Sequence, residues 1–229
     1  MSPLFLYNSP MERDINIDEI SDGKKYHIND MVKIACNDCE GCSSCCEHMD
    51  KLITLDPYDI HRMLSGLDGE SFETLVNSRI ELTVDRGIVI PTLMMNSESG
   101  KCTFLNGEGR CSIHSVRPGI CRLFPMGRLY EEDSFYYFLQ KDECNYSNKS
   151  KIKLKNWIDT KDINKYERFV FDWNKLLRDT RDLIGRIEEK EIKQIDMIIL
   201  NLFYINTYND EFYNQFYERF DKYREAVGI

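Results

Sequence analysis

A chain of 229 residues has room for one large domain or two small ones. Its 42 % hydrophobic content is ordinary for a globular protein and allows a sizeable core. The formal charge of −9 argues against non-specific binding to nucleic acid or to an anionic membrane, both of which favour basic proteins.

The first stretch, Met1-Ser-Pro-Leu-Phe-Leu-Tyr-Asn-Ser-Pro10, lacks a basic start followed by a long apolar run, and it does not read as a secretory signal. No apolar run reaches the ~18 residues needed to span a bilayer. We therefore expect a cytoplasmic protein whose thiols stay reduced. The cysteines number nine, an odd count that also disfavours a pure disulfide framework and favours metal ligation.

Residues 1–20 are polar and carry two prolines, which suggests an extended arm with a short strand near Asp14–Ile20. The β-branched and aromatic residues of Tyr26–Ile34 predict a strand or an extended lead-in. Five cysteines then fall within eleven residues, in Cys36-Asn-Asp-Cys39-Glu-Gly-Cys42-Ser-Ser-Cys45-Cys46. Asp56-Pro57 predicts a helix start, with Asp56 as the cap and Pro57 at the first position, where its missing N–H costs nothing. Gly66 is placed to end that helix. Phe72, Leu75, Val76 and Ile80 suggest a second helix over Ser71–Leu82. Two strands are expected on either side of Pro91, Ile88–Ile90 and Thr92–Met95.

The second cysteine block covers Lys101–Met126, with Cys102, Cys111 and Cys121. Gly107 and Gly109 allow a tight turn inside it, and Pro118 and Pro125 flank Cys121. Arg128–Tyr130 and Phe135–Leu139 predict a hairpin, followed by Cys144. Beyond about Lys151 the pattern becomes helical: Lys161–Lys190, Gln194–Tyr208 and Glu211–Arg224, with breaks near Glu191 and Asn209-Asp210. The expected fold is α+β and mainly α. A cysteine-rich metal-binding domain, residues 1–148, is irregular and carries short strands. A helical region, residues 149–229, packs on it as an antiparallel hairpin or three-helix unit.

Thiolates bind zinc and iron–sulfur clusters because ligand and metal are both soft. Each Cys-x-x-Cys pair is a natural chelate. Cys-x2-Cys-x2-Cys followed by a further cysteine is close to the ferredoxin run, without its proline and with a shorter last gap. A four-iron cluster with three local thiolates and one remote thiolate fits this layout. Zinc held by two thiolates from each block also fits, and spacing does not separate the two; we place the [4Fe–4S] reading ahead of zinc. If Cys45-Cys46 is extended, its two side chains point opposite ways and serve different roles. Arg110, Arg117, Arg122 and Arg128 could offset a thiolate centre's net charge of about −2, with Arg117 and Arg122 the best placed. His48 and His114 are minor candidates as ligands, and Asp56 and Asp59 read as helix caps before metal ligands. Neither a Gly-x-Ser-x-Gly elbow nor a phosphate loop occurs.

Cys39-x-x-Cys42-x-x-Cys45-Cys46, then Leu55-Asp-Pro-Tyr-Asp-Ile60, then Cys102-x-Phe-Leu, Cys111-x-Ile-His and Arg117-Pro-x-x-Cys121-Arg-x-Phe-Pro125, resembles the YkgJ-like CxxCxxCC cysteine-cluster family over about residues 31–146. The resemblance implies zinc or iron chelation, with Cys39, Cys42, Cys45, Cys46, Cys102, Cys111 and Cys121 as ligands. Cys144 sits where many relatives carry another cysteine and joins the candidate metal ligands, and Cys36 is extra to the motif. A weaker resemblance runs to flagellin lysine N-methylases, which share a Cys-x-Phe-Leu, Cys-x-Ile, Cys, Pro pattern. This chain shows no Gly-x-Gly nucleotide loop after a clear strand. Three functions follow: an iron–sulfur protein acting in redox or as an accessory to protein modification, a structural zinc module that binds a protein partner, or a lysine N-methylase-like enzyme.

Overall fold

A computed structural model describes residues 17–36, 42–47, 49, 53–144 and 146–229. Three two-stranded antiparallel sheets and a set of helices enclose one principal hydrophobic core. The architecture is α+β and mainly α.

A short helix α1, Ile17–Ile20, opens the described chain where the sequence suggested a strand; residues 14–16 lie outside the described residues. Ile17 and Ile20 sit on a small separate core made by Leu129, Tyr136 and Phe138. Strand β1, Met31–Ala35, is the ordered part of the predicted lead-in and buries Val32 and Ile34.

Helix α2, Pro57–Ser65, starts where Asp56-Pro57 predicts. Asp56 accepts the Asp59 N–H at 2.8 Å and Asp59 accepts the Asp56 N–H at 3.2 Å, which makes a reciprocal capping box. Gly66 caps the far end, as expected. Helix α3, Phe72–Leu75, is much shorter than the predicted Ser71–Leu82. Asn77 takes a left-handed φ of 67°, and the chain turns into strand β2, Ile80–Asp85. Alternation through Ile80-Glu-Leu-Thr-Val there outweighs the helical spacing.

Strand β3, Ile88–Leu93, is continuous through Pro91, so the two strands expected on either side of that proline are one. Pro91 is tolerated because its carbonyl does the bonding: it accepts the Leu55 N–H at 2.9 Å, which lays residues 53–55 along β3. Helix α4, Gly119–Leu123, carries Cys121 and had no sequence signal. Strands β4, Met126–Tyr130, and β5, Phe135–Leu139, form the predicted hairpin, with Leu129 opposite Tyr136. The two-residue period sends Tyr136 and Phe138 to the small core and Tyr137 to the main one. Strand β6, Ser150–Lys153, pairs with β1, and helix α5, Leu154–Ile158, follows it at once.

Helix α6, Ile163–Ile184, buries Tyr166, Phe169, Val170, Trp173, Leu176, Leu177 and Thr180 on one stripe. It ends at Gly185, earlier than the predicted Lys190, because Glu188 and Glu191 form the capping box of the next helix, α7, Glu189–Leu200. A π-helical turn over Asn201–Ile205 prolongs α7. Helix α8, Phe212–Val227, closes the chain. Phe169 meets Phe216 edge-on at 4.7 Å, Trp173 meets Phe203 at 5.1 Å, and Phe203 meets Tyr223 at 5.8 Å. The layer is fastened to the cysteine-bearing half by Tyr58 of α2, 4.9 Å from Phe212, and by Tyr204, whose hydroxyl donates to the Leu55 carbonyl at 3.0 Å. No helix among the described residues is long and apolar enough to cross a membrane.

Candidate metal centre

The two cysteine blocks meet through the backbone. Ser44–Cys46 form a single 3-10 turn, held by the Cys46 N–H donating to the Ser43 carbonyl at 2.7 Å. Cys102 then donates its N–H to the Cys46 carbonyl at 2.8 Å, and Glu47 bridges to Lys101 beside it. The loop between Cys102 and Cys111 is shaped by Asn106, whose side-chain oxygen accepts the N–H groups of Glu108 and Arg110 at 3.1 and 2.8 Å. Gly109 supplies the φ of +74° that this tight turn requires. Leu105 bridges to Cys111, so both thiols return to one side.

Cys121 is placed by helix packing. The buried Asp59 carboxylate accepts the Gly119 N–H at 2.6 Å and so fixes the start of α4. Trp157 of α5 donates to the Leu123 and Phe124 carbonyls, each at 3.2 Å, and fixes its end. A side chain at position 119 would put its Cβ 2.5 Å from the Tyr166 hydroxyl, so glycine is required for α4 to approach α6. Neither Trp157 nor Gly119 had a sequence signal as a support of the site; the Arg117-Pro-Gly run marks only a turn.

Cys42, Cys45, Cys46, Cys102, Cys111 and Cys121 line one cavity of about 50 Å³. Its apolar wall includes Ile53, Leu93, Phe104 and Ile113. Cys45 and Cys46 lie on a tight turn and face this same cavity, so the opposed roles expected of an extended pair do not arise. Their thiols are hydrogen-bonded. The bond from Cys46 lowers the Cys45 thiol to about 7 and raises Cys46. Burial raises Cys102, Cys111 and Cys121, the last well above the ordinary thiol value.

Cys39 and His48 lie outside the described residues. Cys36 is buried at the end of β1 and lines a different groove with Trp157 and Tyr146. Cys144 is half-buried after β5 and does not line the cavity, and its carbonyl accepts a bond from Lys149 at 2.6 Å. His114 does reach the cavity, where its Nε2 lies 2.6 Å from Arg117 Nη1.

The four arginines divide. Arg110 and Arg117 face the thiols. Arg122 and Arg128 turn inward instead, 2 % and 5 % exposed, and both donate to the Tyr166 hydroxyl, at 3.4 and 3.1 Å. Arg122 is thus placed against α6, although its sequence position suggested the metal. Asp56 and Asp59 act as helix caps, as expected.

The model of the CxxCxxCC family, described as "Putative zinc- or iron-chelating domain", matches residues 38–150. The chain carries a CxxCxxCC domain over these residues. No curated protein and no solved structure matches it. The CxxCxxCC segment holds all six cysteines of the cavity. An all-sulfur donor set suits the zinc or iron of the family's description, since soft thiolates select both zinc and iron–sulfur clusters. Among the described residues, no three Cys, His, Asp or Glu side chains already stand as a ready ligand group for one ion. Metal capture by this CxxCxxCC domain requires its thiols to lose protons.

Proposed function

We propose that the CxxCxxCC domain holds a polynuclear thiolate centre, an iron–sulfur cluster, through which the protein acts in redox chemistry or as an accessory to the modification of a protein partner. One observation carries this reading: six thiols from both blocks face one cavity, two more than a single tetrahedral ion takes. Such a centre, when bound, supplies one-electron chemistry.

The residues of the chain do the rest. Arg110 and Arg117 supply positive charge beside thiolates whose cluster carries net negative charge. Ile53, Leu93 and Phe104 keep water from the sulfurs. A cytoplasmic, reducing setting would keep the thiols available.

A second reading, a structural zinc site that holds a protein-interaction module together, is favoured by size. The cavity of about 50 Å³ is less than the ~60 Å³ share of two waters and suits compact ions. The decisive experiment is metal and acid-labile sulfide analysis of anaerobically purified protein, with its visible spectrum. Iron with matching sulfide and broad visible absorption is expected. Zinc without sulfide would replace the first reading by the second.

A further inference from the structure

A second cavity, lined by none of the residues of the thiol cavity, lies against α2 and α4. It occupies about 110 Å³ between the N-terminus of α2, the β2–β3 turn, β4 and α6. At ~30 Å³ per water this is room for about three to four waters, or for one compact molecule the size of glycine. Thr54, Arg86, Ile120 and Asn174 are half-buried at its rim, so it opens to solvent.

Its wall holds charges of both signs. Asp56, Asp59 and Asp85 face it, and so do Arg86, Arg128 and Arg181. Three of these satisfy one another: Arg181 meets Asp85 at 2.6 Å, and Arg86 meets the same carboxylate at 3.4 Å. What remains is Arg128 against the Asp56–Asp59 pair. Arg128 lines the cleft and is 5 % exposed, and among the described residues its Nε has no hydrogen-bond partner. Buried N–H groups of a guanidinium are costly to leave unmade, so the cleft has acceptor positions to fill.

The charges of Arg122 and Arg128 partly offset the Asp56–Asp59 pair. The capping box uses Asp56 Oδ1 and Asp59 Oδ2, and Gly119 uses Asp59 Oδ1, which leaves Asp56 Oδ2 outside this network. Burial, and then the neighbouring Asp59, pushes Asp56 up to about 8, against the opposing pull of Arg122 and Arg128. A plain anion would meet the Asp56–Asp59 pair and a plain cation the Arg128 guanidinium, whereas a molecule that carries both charges finds a partner for each.

We propose that this cleft binds a small zwitterion of the α-amino-acid class, its carboxylate against Arg128 and its ammonium against Asp56. The site is separate from the thiol cavity, but Asp59 belongs to its wall and also fixes the α4 turn that carries Cys121.

Trp173 lines the cleft and reports on it. The metal-loaded full-length protein is titrated with glycine and with L-alanine, followed by tryptophan emission and by calorimetry. Acetate, methylamine and inorganic phosphate serve as the comparison set. Glycine or alanine is expected to bind about tenfold or more tightly than acetate, methylamine or phosphate. Asn174→Phe, which fills the mouth and keeps every charge, should abolish glycine binding while circular dichroism and metal content stay as in the parent. If that variant does not fold, Thr54→Tyr fills the rim from the opposite side and is read the same way. Equal binding of acetate or phosphate would make this an anion site, and equal binding of methylamine an amine site; either overturns the proposal. So would silence toward glycine and alanine at millimolar concentrations, or full glycine affinity in both filled variants.

Discussion

The aromatic layer of α6 to α8 and the thiol cavity share one core, yet they are held together in opposite ways. Phe169, Phe203, Phe216 and Tyr223 are fully buried and packed mostly edge to face, so their layer is stabilised by its own contacts. The regular structure around the thiol cavity is short: two 3-10 turns, a tight loop, the end of β3 and the five residues of α4. Burial raises three of its thiols, so the unliganded form resists gathering several thiolates. The difference teaches where the stability of each half originates. One half is complete as a polypeptide, and the other is completed by what it binds.

Metal removal tests this most severely, since structural zinc in small domains contributes ~10–16 kcal/mol of apparent binding energy. After chelation, amide exchange should rise sharply over residues 42–47 and 102–123 and stay slow over Ile163–Ile184. Equal loss of protection in both regions would end the comparison. The same experiment separates cysteines: Cys121→Ser should lower the bound metal, whereas Cys36→Ser and Cys144→Ser, which do not line the cavity, should leave it unchanged. A drop in metal content with Cys144→Ser would move that thiol into the ligand set.

The reverse perturbation is Phe216→Ala. Its ring is fully buried and contacts Phe169, Trp173 and Phe203, so a loss of about 3–5 kcal/mol in urea unfolding is expected. That loss should be the same with and without metal, because no ring it touches lines the thiol cavity.

Local signals with a single physical cause were legible in the sequence. Asp56-Pro57 starts α2, the aromatic alternation gives the β4–β5 hairpin, and the α6 stripe appears as a 3–4 period. Where two signals competed, the weaker-looking one prevailed: Asn77 and strand alternation cut α3 short, and the capping box at Glu188 ended α6 early. For the site, cysteine spacing named the candidates but not the direction in which their neighbours face. Arg122 is adjacent to Cys121 in sequence and Arg117 lies four residues before it, yet Arg117 faces the thiols and Arg122 faces Tyr166, because α4 turns between them. That turn depends on Asp59, Trp157 and Tyr166, all of them far away along the chain.

Gly119→Ala probes the junction between the two halves. The added Cβ would sit 2.5 Å from the Tyr166 hydroxyl, so either α4 or Tyr166 must move. Overpacking of this kind costs about 1–3 kcal/mol. Because α4 carries Cys121, metal affinity should fall together with stability. A variant that lost stability but kept its affinity would show that the thiol cavity tolerates displacement of α4.

The last expected effect is a pH dependence centred on Asp56. Its carboxyl is raised to about 8 by burial and by Asp59, from an ordinary value of 3.8 in the unfolded chain. The folded protein therefore holds a proton that the unfolded chain has lost throughout that interval. Its contribution to stability is fully present below about 3.8 and is lost as pH rises through about 8. Asn caps a helix as well as Asp does, so Asp56→Asn keeps the α2 start while removing the titration. The unfolding midpoint of the variant, relative to the parent, should rise steadily between pH 5 and pH 8. A flat difference across that range would mean that Asp56 is already ionised, with a cation at its free oxygen. In that case the charged cleft beside α2 would be as complete without a ligand as the aromatic layer is.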